Sequence, residues 1–311
     1  MFRLISGIFL GWSLGANDSA NVFGTAVASG VIRFSVAATI TAIFVTVGAV
    51  LQGAGGMHTL GGLTTQDLNS AFVSSFAAAL TVTTMTYCCL PVSTSQAVVG
   101  AILGIGIAMQ QVIHWRGLRK VVLCWIGTPV GAILIAFVLY KSIQYLLGKC
   151  KVGILFMNAL IKYGLLISGA YGAYALGANN VANVTGVFAE AGLITIRQAV
   201  LIGGISIAFG AVTYSKRVMM TVGSGLVSLD GFSAFIAVLS QAITVHIYAE
   251  IGVPVSTSQA IIGGVLGIGL VLGMQTIHRR TLLNIVVGWL STPIIAGIVA
   301  FLLMKGLLLF S

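Results

Sequence analysis

Apolar stretches long enough to cross a bilayer, about 18 residues or more, recur along the whole chain and are divided by short polar breaks. Residues about 4 to 29 and about 160 to 190 are apolar but carry Gly15-Ala16-Asn17-Asp18 and Gly177-Ala178-Asn179-Asn180 in their interior. Polar groups at mid-membrane depth predict a broken helix there, since unpaired backbone is tolerated at that depth only where it lines a cavity or meets protein. A second spanning helix is predicted at about 34 to 56 and about 196 to 215, followed by a Gly-rich loop. Paired apolar arms at about 69 to 89 with 91 to 109, and at about 232 to 251 with 254 to 275, each meet at a proline and predict re-entrant hairpins. The basic stretches HWRGLRK (114 to 120) and HRR (278 to 280) read as loops leading to last spanning helices at about 121 to 147 and about 281 to 309.

This pattern runs through the chain twice. GANDSANVFG at 15 answers GANNVANVTG at 177, PVSTSQA at 91 answers PVSTSQA at 254, and Trp125 and Trp289 each open a Trp-x-x-Thr-Pro motif. The offsets are 162, 163 and 164 residues, so the chain is a duplicated unit, 1–150 and 151–311, with its boundary near GKCK at 148 to 151. The opening LISGIFLGWSLGA has the look of a signal peptide, but its ending LGAN recurs at 176 to 179, which assigns it to the first unit. If each hairpin returns to its own side, each unit crosses the membrane an odd number of times and the second unit is inverted. The predicted fold is an all-α polytopic membrane protein with two inverted-topology repeats, each with a broken helix and a re-entrant hairpin, as in secondary transporters. The distribution of Lys and Arg narrowly favours both termini outside the cytoplasm.

Composition agrees with a membrane solvent. Hydrophobic residues make up 58% of the chain and charged residues 6%. The net charge of +10 does not indicate nucleic acid, because the 15 Lys and Arg are scattered over short loops with no basic patch interleaved with aromatics. Such loops lie beside lipid headgroups. Cys88, Cys89, Cys124 and Cys150 have no metal-ligand spacing and read as small apolar side chains.

The chemistry concentrates in the repeated motifs. Asn17, Asp18 and Asn21, and Asn179, Asn180 and Asn183, place amide and carboxylate oxygens within about one turn, a donor set for a small hard cation such as sodium. Asparagines that only satisfy a kinked backbone are the plain alternative; Asp18 argues against it, since an ionisable residue deep in a membrane segment is costly. Ser93, Thr94, Ser95 and Gln96, with Ser256, Thr257, Ser258 and Gln259, offer donors at two helix starts, where unpaired N–H groups and the positive dipole end hold an anion without Lys or Arg. Capping alone would explain one such copy, but two copies on facing hairpins can share one anion. Asp67 and Asp230 sit at loop positions before the hairpins and read as solvated or helix-capping residues. Glu250 stands four residues before Pro254, and His246 lies inside a hairpin arm, as a proton carrier or a core histidine with a local partner.

GANDSANVFGTAVASG, GANNVANVTG and the two PVSTSQ hairpins together resemble the inorganic phosphate transporter family, sodium- or proton-coupled permeases that also include sulfate carriers. The resemblance covers both halves. It implies phosphate held between hairpin tips and helix motifs, by Asp18 and by Ser93 to Gln96 and Ser256 to Gln259. It also implies sodium beside it on Asn17, Asp18, Asn21, Asn179, Asn180 and Asn183, and a homodimer in the lipid membrane. Two positions depart from the family pattern: Asn180 stands where an acid is usual, and Val45 stands where the second helix tends to carry Glu.

The expected function is import of inorganic phosphate coupled to sodium by alternating access, with proton-coupled sulfate transport as the rival. No cofactor is expected beyond the coupling ions. A passive anion channel would need a continuous pore, and an enzyme would need a nucleophile, base and metal constellation that the sequence does not present.

Overall fold

The computed structural model describes residues 2–88, 92–150, 153–225, 229–273 and 279–309. Cys89, Pro91, Lys151 and His278, all used above, lie outside them. The first half comprises α1 (Leu4–Ala28), α2 (Phe34–Gln52), a 3-10 turn (Gly53–Gly56), α3 (Met57–Gly61), α4 (Leu68–Tyr87), α5 (Thr94–Ala108) and α6 (Trp115–Cys150). The second comprises α7 (Ile154–Glu190), α8 (Ile196–Thr213), α9 (Ser215–Gly225), α10 (Gly231–Ile251), α11 (Thr257–Leu272) and α12 (Arg279–Leu309). Seven helical stretches among the described residues are long and apolar enough to cross a membrane; α5 and α11, the second arms of the hairpins, are shorter.

Local signals start and stop the hairpin arms. Asp67 caps α4 in a reciprocal box with Ser70, and Asp230 caps α10 by accepting from the Ser233 N–H. Gly252 ends α10 with φ at +72°, a left-handed conformation that glycine adopts without strain. Ser93 and Ser256 then cap α5 and α11 by accepting from the Gln96 and Gln259 N–H groups.

Three expectations need correcting. The predicted break in α1 and α7 is absent: both helices run uninterrupted through Gly15–Asp18 and Gly177–Asn180. Their glycines serve close packing instead. A Cβ on Gly15 would lie 1.9 Å from the Ile207 carbonyl oxygen of α8, and one on Gly177 would lie 1.9 Å from the Val45 carbonyl oxygen of α2. The Gly-rich stretch after α2 is a 3-10 turn and a short helix, not an open loop. The basic segment from Trp115 is the first part of α6, since its Arg, Leu and Lys residues are good helix formers and the single Gly117 among them does not interrupt the helix.

These packing contacts come in pairs that exchange partners between halves. Gly15 of α1 meets α8, and Gly177 of α7 meets α2 at the matching residue. Gly100 and Gly104 of α5 approach Pro293 and Gly297 of α12, while Gly263 and Gly267 of α11 approach Pro129 and Ile133 of α6. Each hairpin is therefore completed by the last helix of the opposite half, giving two flanking bodies, α4/α5/α12 and α10/α11/α6, around a centre built from α1, α2, α7 and α8. Within that centre α1 and α7 are antiparallel, since Gly7 lies against Phe188 and Gly169 against Phe23. Exposed Leu123, Ile126, Val130 and Leu134 on α6, and Leu290, Ile294, Ile298 and Leu302 on α12, form apolar outer faces suited to lipid tails.

Candidate functional site

The two hairpin tips touch. The Ser95 hydroxyl donates to the Val255 carbonyl at 2.8 Å, and the Ser258 hydroxyl donates to the Val92 carbonyl at 3.1 Å. These four positions are repeat mates, so one contact is made twice in opposite senses. The first-turn N–H groups of α5 and α11 that have no helical acceptor are thus brought to one place from two sides.

The Asn-rich motifs of α1 and α7 sit under this junction. Asp18 is buried, accepts from the Asn17 and Asn21 side-chain amides at 2.8 and 3.5 Å, and hydrogen-bonds with the Thr257 hydroxyl. Asn21 also donates to Thr257 at 3.3 Å. In the other half Asn180 accepts from Asn183 at 2.8 Å and from Ser95 at 3.2 Å, and Asn183 donates to Ser95 at 3.0 Å. Each motif therefore reaches the hairpin of the opposite repeat: Asn21 reaches α11 and Asn183 reaches α5. Asn179 uses its whole amide on the second hairpin, donating to the Val253 carbonyl at 3.1 Å and accepting from the Val255 N–H at 2.9 Å. Its mate Asn17 instead accepts from Thr86 of α4 at 3.2 Å.

The structure thus brings every candidate binding residue named from the sequence into one neighbourhood, with Asn17 half-buried and the others buried. Thr86 and the carbonyls of Val92, Val253 and Val255 were not legible there, because a threonine in an apolar run and a valine backbone carry no chemical signature.

Several groups at this junction lack a partner among the described residues. They are the Thr94 hydroxyl, the Asn180 Nδ2, the Asn183 Oδ1, and the Oε1 atoms of the repeat mates Gln96 and Gln259. A buried polar group left unpaired costs about 1–3 kcal/mol, so five in one place call for ligands. The set is mixed: an amide N–H and a hydroxyl offer hydrogen bonds to an anion, while three amide oxygens accept from a cation or a protonated ligand. No cluster of three His, Cys, Asp or Glu occurs among the described residues, and this donor set suits a hard monovalent cation rather than a transition metal.

The model of the phosphate transporter family matches residues 14–300. A protein of Methanocaldococcus jannaschii named "Putative phosphate permease" is 35% identical over 301 residues, which cover 97% of this chain and 95% of that one. The sulfate permease CysP of Bacillus subtilis is 28% identical, with 97% of this chain and 86% of the relative covered. A solved structure described as "The sodium-dependent phosphate transporter" superposes over the whole of both chains with a TM-score of 0.87 at 24% identity, a likeness in fold.

Proposed function

Because the chain belongs to the phosphate transporter family, as a multi-pass membrane protein, we propose that it imports inorganic phosphate together with sodium by alternating access. The observation that carries this reading is the junction where two capped helix starts, unpartnered donors and acceptors, and one buried carboxylate converge. Phosphate is bound at the tips by the Thr94 hydroxyl, the Asn180 amide and the first-turn N–H groups of α5 and α11, where the helix dipoles favour negative charge. Ser93, Ser95, Ser256 and Ser258 shape that cradle by capping the helices and joining the tips. Sodium is held by amide and carboxylate oxygens beside it, from Asn17, Asp18 and Asn21 with Gln259 on one side and Asn180, Asn183 and Gln96 on the other. Asn179 clamps the second tip in place.

Charge supports phosphate over sulfate. A monovalent phosphate, an ionised Asp18 and two sodium ions sum to zero, whereas sulfate leaves one negative charge uncompensated in a low-dielectric cavity. A protonated phosphate oxygen also donates to Asp18, which sulfate does not do at neutral pH. Similarity to a sulfate permease keeps proton-coupled sulfate as the second reading.

The exchanged helix contacts and the antiparallel α1 and α7 support an inverted repeat of 1–150 and 151–311. Movement of the two flanking bodies against the centre would open the junction first to one face and then to the other. Uptake of labelled phosphate or sulfate into proteoliposomes, with sodium and pH gradients imposed separately, tests the proposal. Phosphate accumulation driven by sodium alone is expected; accumulation of sulfate driven only by protons would replace it with the rival.

A further inference from the structure

A second polar cluster lies away from the hairpin junction, where α2, α7 and α10 meet. His246 is bracketed by two partners: Nδ1 is 2.7 Å from the Tyr171 hydroxyl and Nε2 is 2.9 Å from the Gln52 Oε1. An amide oxygen only accepts, so Nε2 carries a proton, and in the neutral ring Nδ1 accepts from Tyr171. Gln52 also accepts from the Tyr174 hydroxyl at 2.7 Å and donates through Nε2 to Glu250. Glu250 lies one turn beyond His246 on α10, with its Oε1 3.5 Å from Nε2.

The repeat mates of these five residues are Phe9, Trp12, Tyr214, Thr83 and Tyr87. There the Trp12 ring meets the Tyr214 ring at a tilt of 50° and donates to Thr213, and Thr83 pairs with Ser13. The five mates of the first hairpin therefore include neither a histidine nor a carboxylate, whereas the cluster at the second has both.

The cluster grips the arm that leads to the binding tip. Directly after Gln52, Gly55 lies against Gly252 and Gly56 against Pro254, and the Thr59 hydroxyl donates to the Gly252 carbonyl at 2.6 Å. Gly252 to Pro254 lead straight into the Ser256 cap. The His246 and Glu250 side chains are 25% and 62% exposed. A carboxylate that exposed on a membrane arm needs water rather than lipid around it, so protons have access.

We propose that Gln52, Tyr171, Tyr174, His246 and Glu250 form a proton-binding site that sets how firmly the second hairpin is held against α2. This rests on the transport reading only for its effect on uptake. The titratable groups that face His246 are Glu250 on its own helix and Tyr171 and Tyr174 on α7. From α2 and its 3-10 turn comes only the Gln52 amide, and α11 carries no titratable side chain in its described residues. Tyr248 points to the other side of α10, against Gly127 of α6, where Cys124 lies, and Asp18 of α1 is engaged by Thr257. A proton added at Nδ1 turns the Tyr171 hydroxyl from donor to acceptor and sets an imidazolium beside the Glu250 carboxylate. The bond from Nε2 to the Gln52 oxygen of α2 then becomes charge-assisted, with Glu250 stabilising the imidazolium from the next turn of the same helix, so acid tightens the latch and slows release of the hairpin.

His246→Gln keeps a donor and an acceptor but cannot take up the proton; Glu250→Gln removes the carboxylate. Two readouts compare them with the parent at about pH 5.5 and about pH 8, on either side of the ordinary imidazole range. In detergent without substrate, the parent should gain melting temperature relative to His246→Gln on acidification. In proteoliposomes, the ratio of variant to parent phosphate uptake should rise towards acid by up to about fivefold, the scale of one hydrogen bond becoming charge-assisted; taking the ratio cancels the titration of phosphate itself. Glu250→Gln should behave like His246→Gln in both. Variants that run parallel to the parent across pH in the melt overturn the proton site. If the parent takes up no phosphate, the transport reading falls, and the melt alone decides on this one.

Discussion

Replacing Ser95 by Ala should destabilise the protein whether or not substrate is present. The hydroxyl joins α5 to the second hairpin and to α7: its single proton points to the Val255 carbonyl at 2.8 Å with the Asn180 Oδ1 as a more distant second acceptor at 3.2 Å, and its oxygen accepts from Asn183. Asn183 keeps its bond to Asn180, so its amide is not stranded. The Val255 carbonyl loses its hydroxyl donor in a buried position, which costs about 1–3 kcal/mol. Ser74→Ala is the control: that serine is equally buried, but its hydroxyl bonds only the Ala71 carbonyl one turn back in its own helix, a local contact that contributes little. Denaturation in detergent should show a loss of about 1–3 kcal/mol for Ser95→Ala and well under about 1 for the control. The tips act as one contact, so adding Ser258→Ala should cost less in the Ser95→Ala background than alone, a coupling of about 0.5 kcal/mol or more. Equal stability of Ser95→Ala and Ser74→Ala would refute the reading that the tips are joined through this hydroxyl.

Other outcomes follow from the same contacts. Gly15→Ala would set a Cβ 1.9 Å from the Ile207 carbonyl oxygen and should cost about 1–3 kcal/mol or more by forcing α1 from α8, while Gly148→Ala, with nothing within 4 Å, should be neutral or slightly stabilising in a melt. Asp18→Asn should abolish sodium-driven phosphate accumulation, and Asn180→Asp should keep transport but alter its cation dependence; unchanged sodium dependence in Asp18→Asn would make Asp18 structural. Tags replacing Arg116 and Arg279 should be reached from opposite faces of the membrane, and labelling of both from one face would end the inverted-repeat proposal.

What was legible in the sequence was what depends on near neighbours. The caps at Asp67, Asp230, Ser93 and Ser256 are set by residues within one turn, and capping was among the roles their local sequence offered. Asp18 drew attention because a carboxylate in an apolar run is conspicuous wherever the chain folds. The expected helix breaks failed for the opposite reason. Glycine beside asparagine looks like a local interruption, but at Gly15 and Gly177 the missing Cβ admits a carbonyl from a helix far along the chain, a purpose no local pattern displays. The same limit hid the clamp from Asn179 to the second tip and the bonds of Asn21 and Asn183 to opposite hairpins, which exist only once the halves interlock. His246 and Gln52 are 194 residues apart, and neither alone announces a network.

The claim that the hairpin junction binds phosphate is tested most directly by the affinity of Thr94→Val for phosphate in sodium. The Thr94 hydroxyl is buried and unpartnered among the described residues, so replacing it with a methyl of nearly the same shape should leave the melting temperature unchanged or raise it. A donor lost to a charged ligand costs about 1.5–3 kcal/mol, roughly ten- to 150-fold in affinity. Equilibrium binding of labelled phosphate to the purified protein should show that loss in a variant that melts like the parent. Parent-like affinity in Thr94→Val would mean that phosphate does not bind where the two hairpins meet.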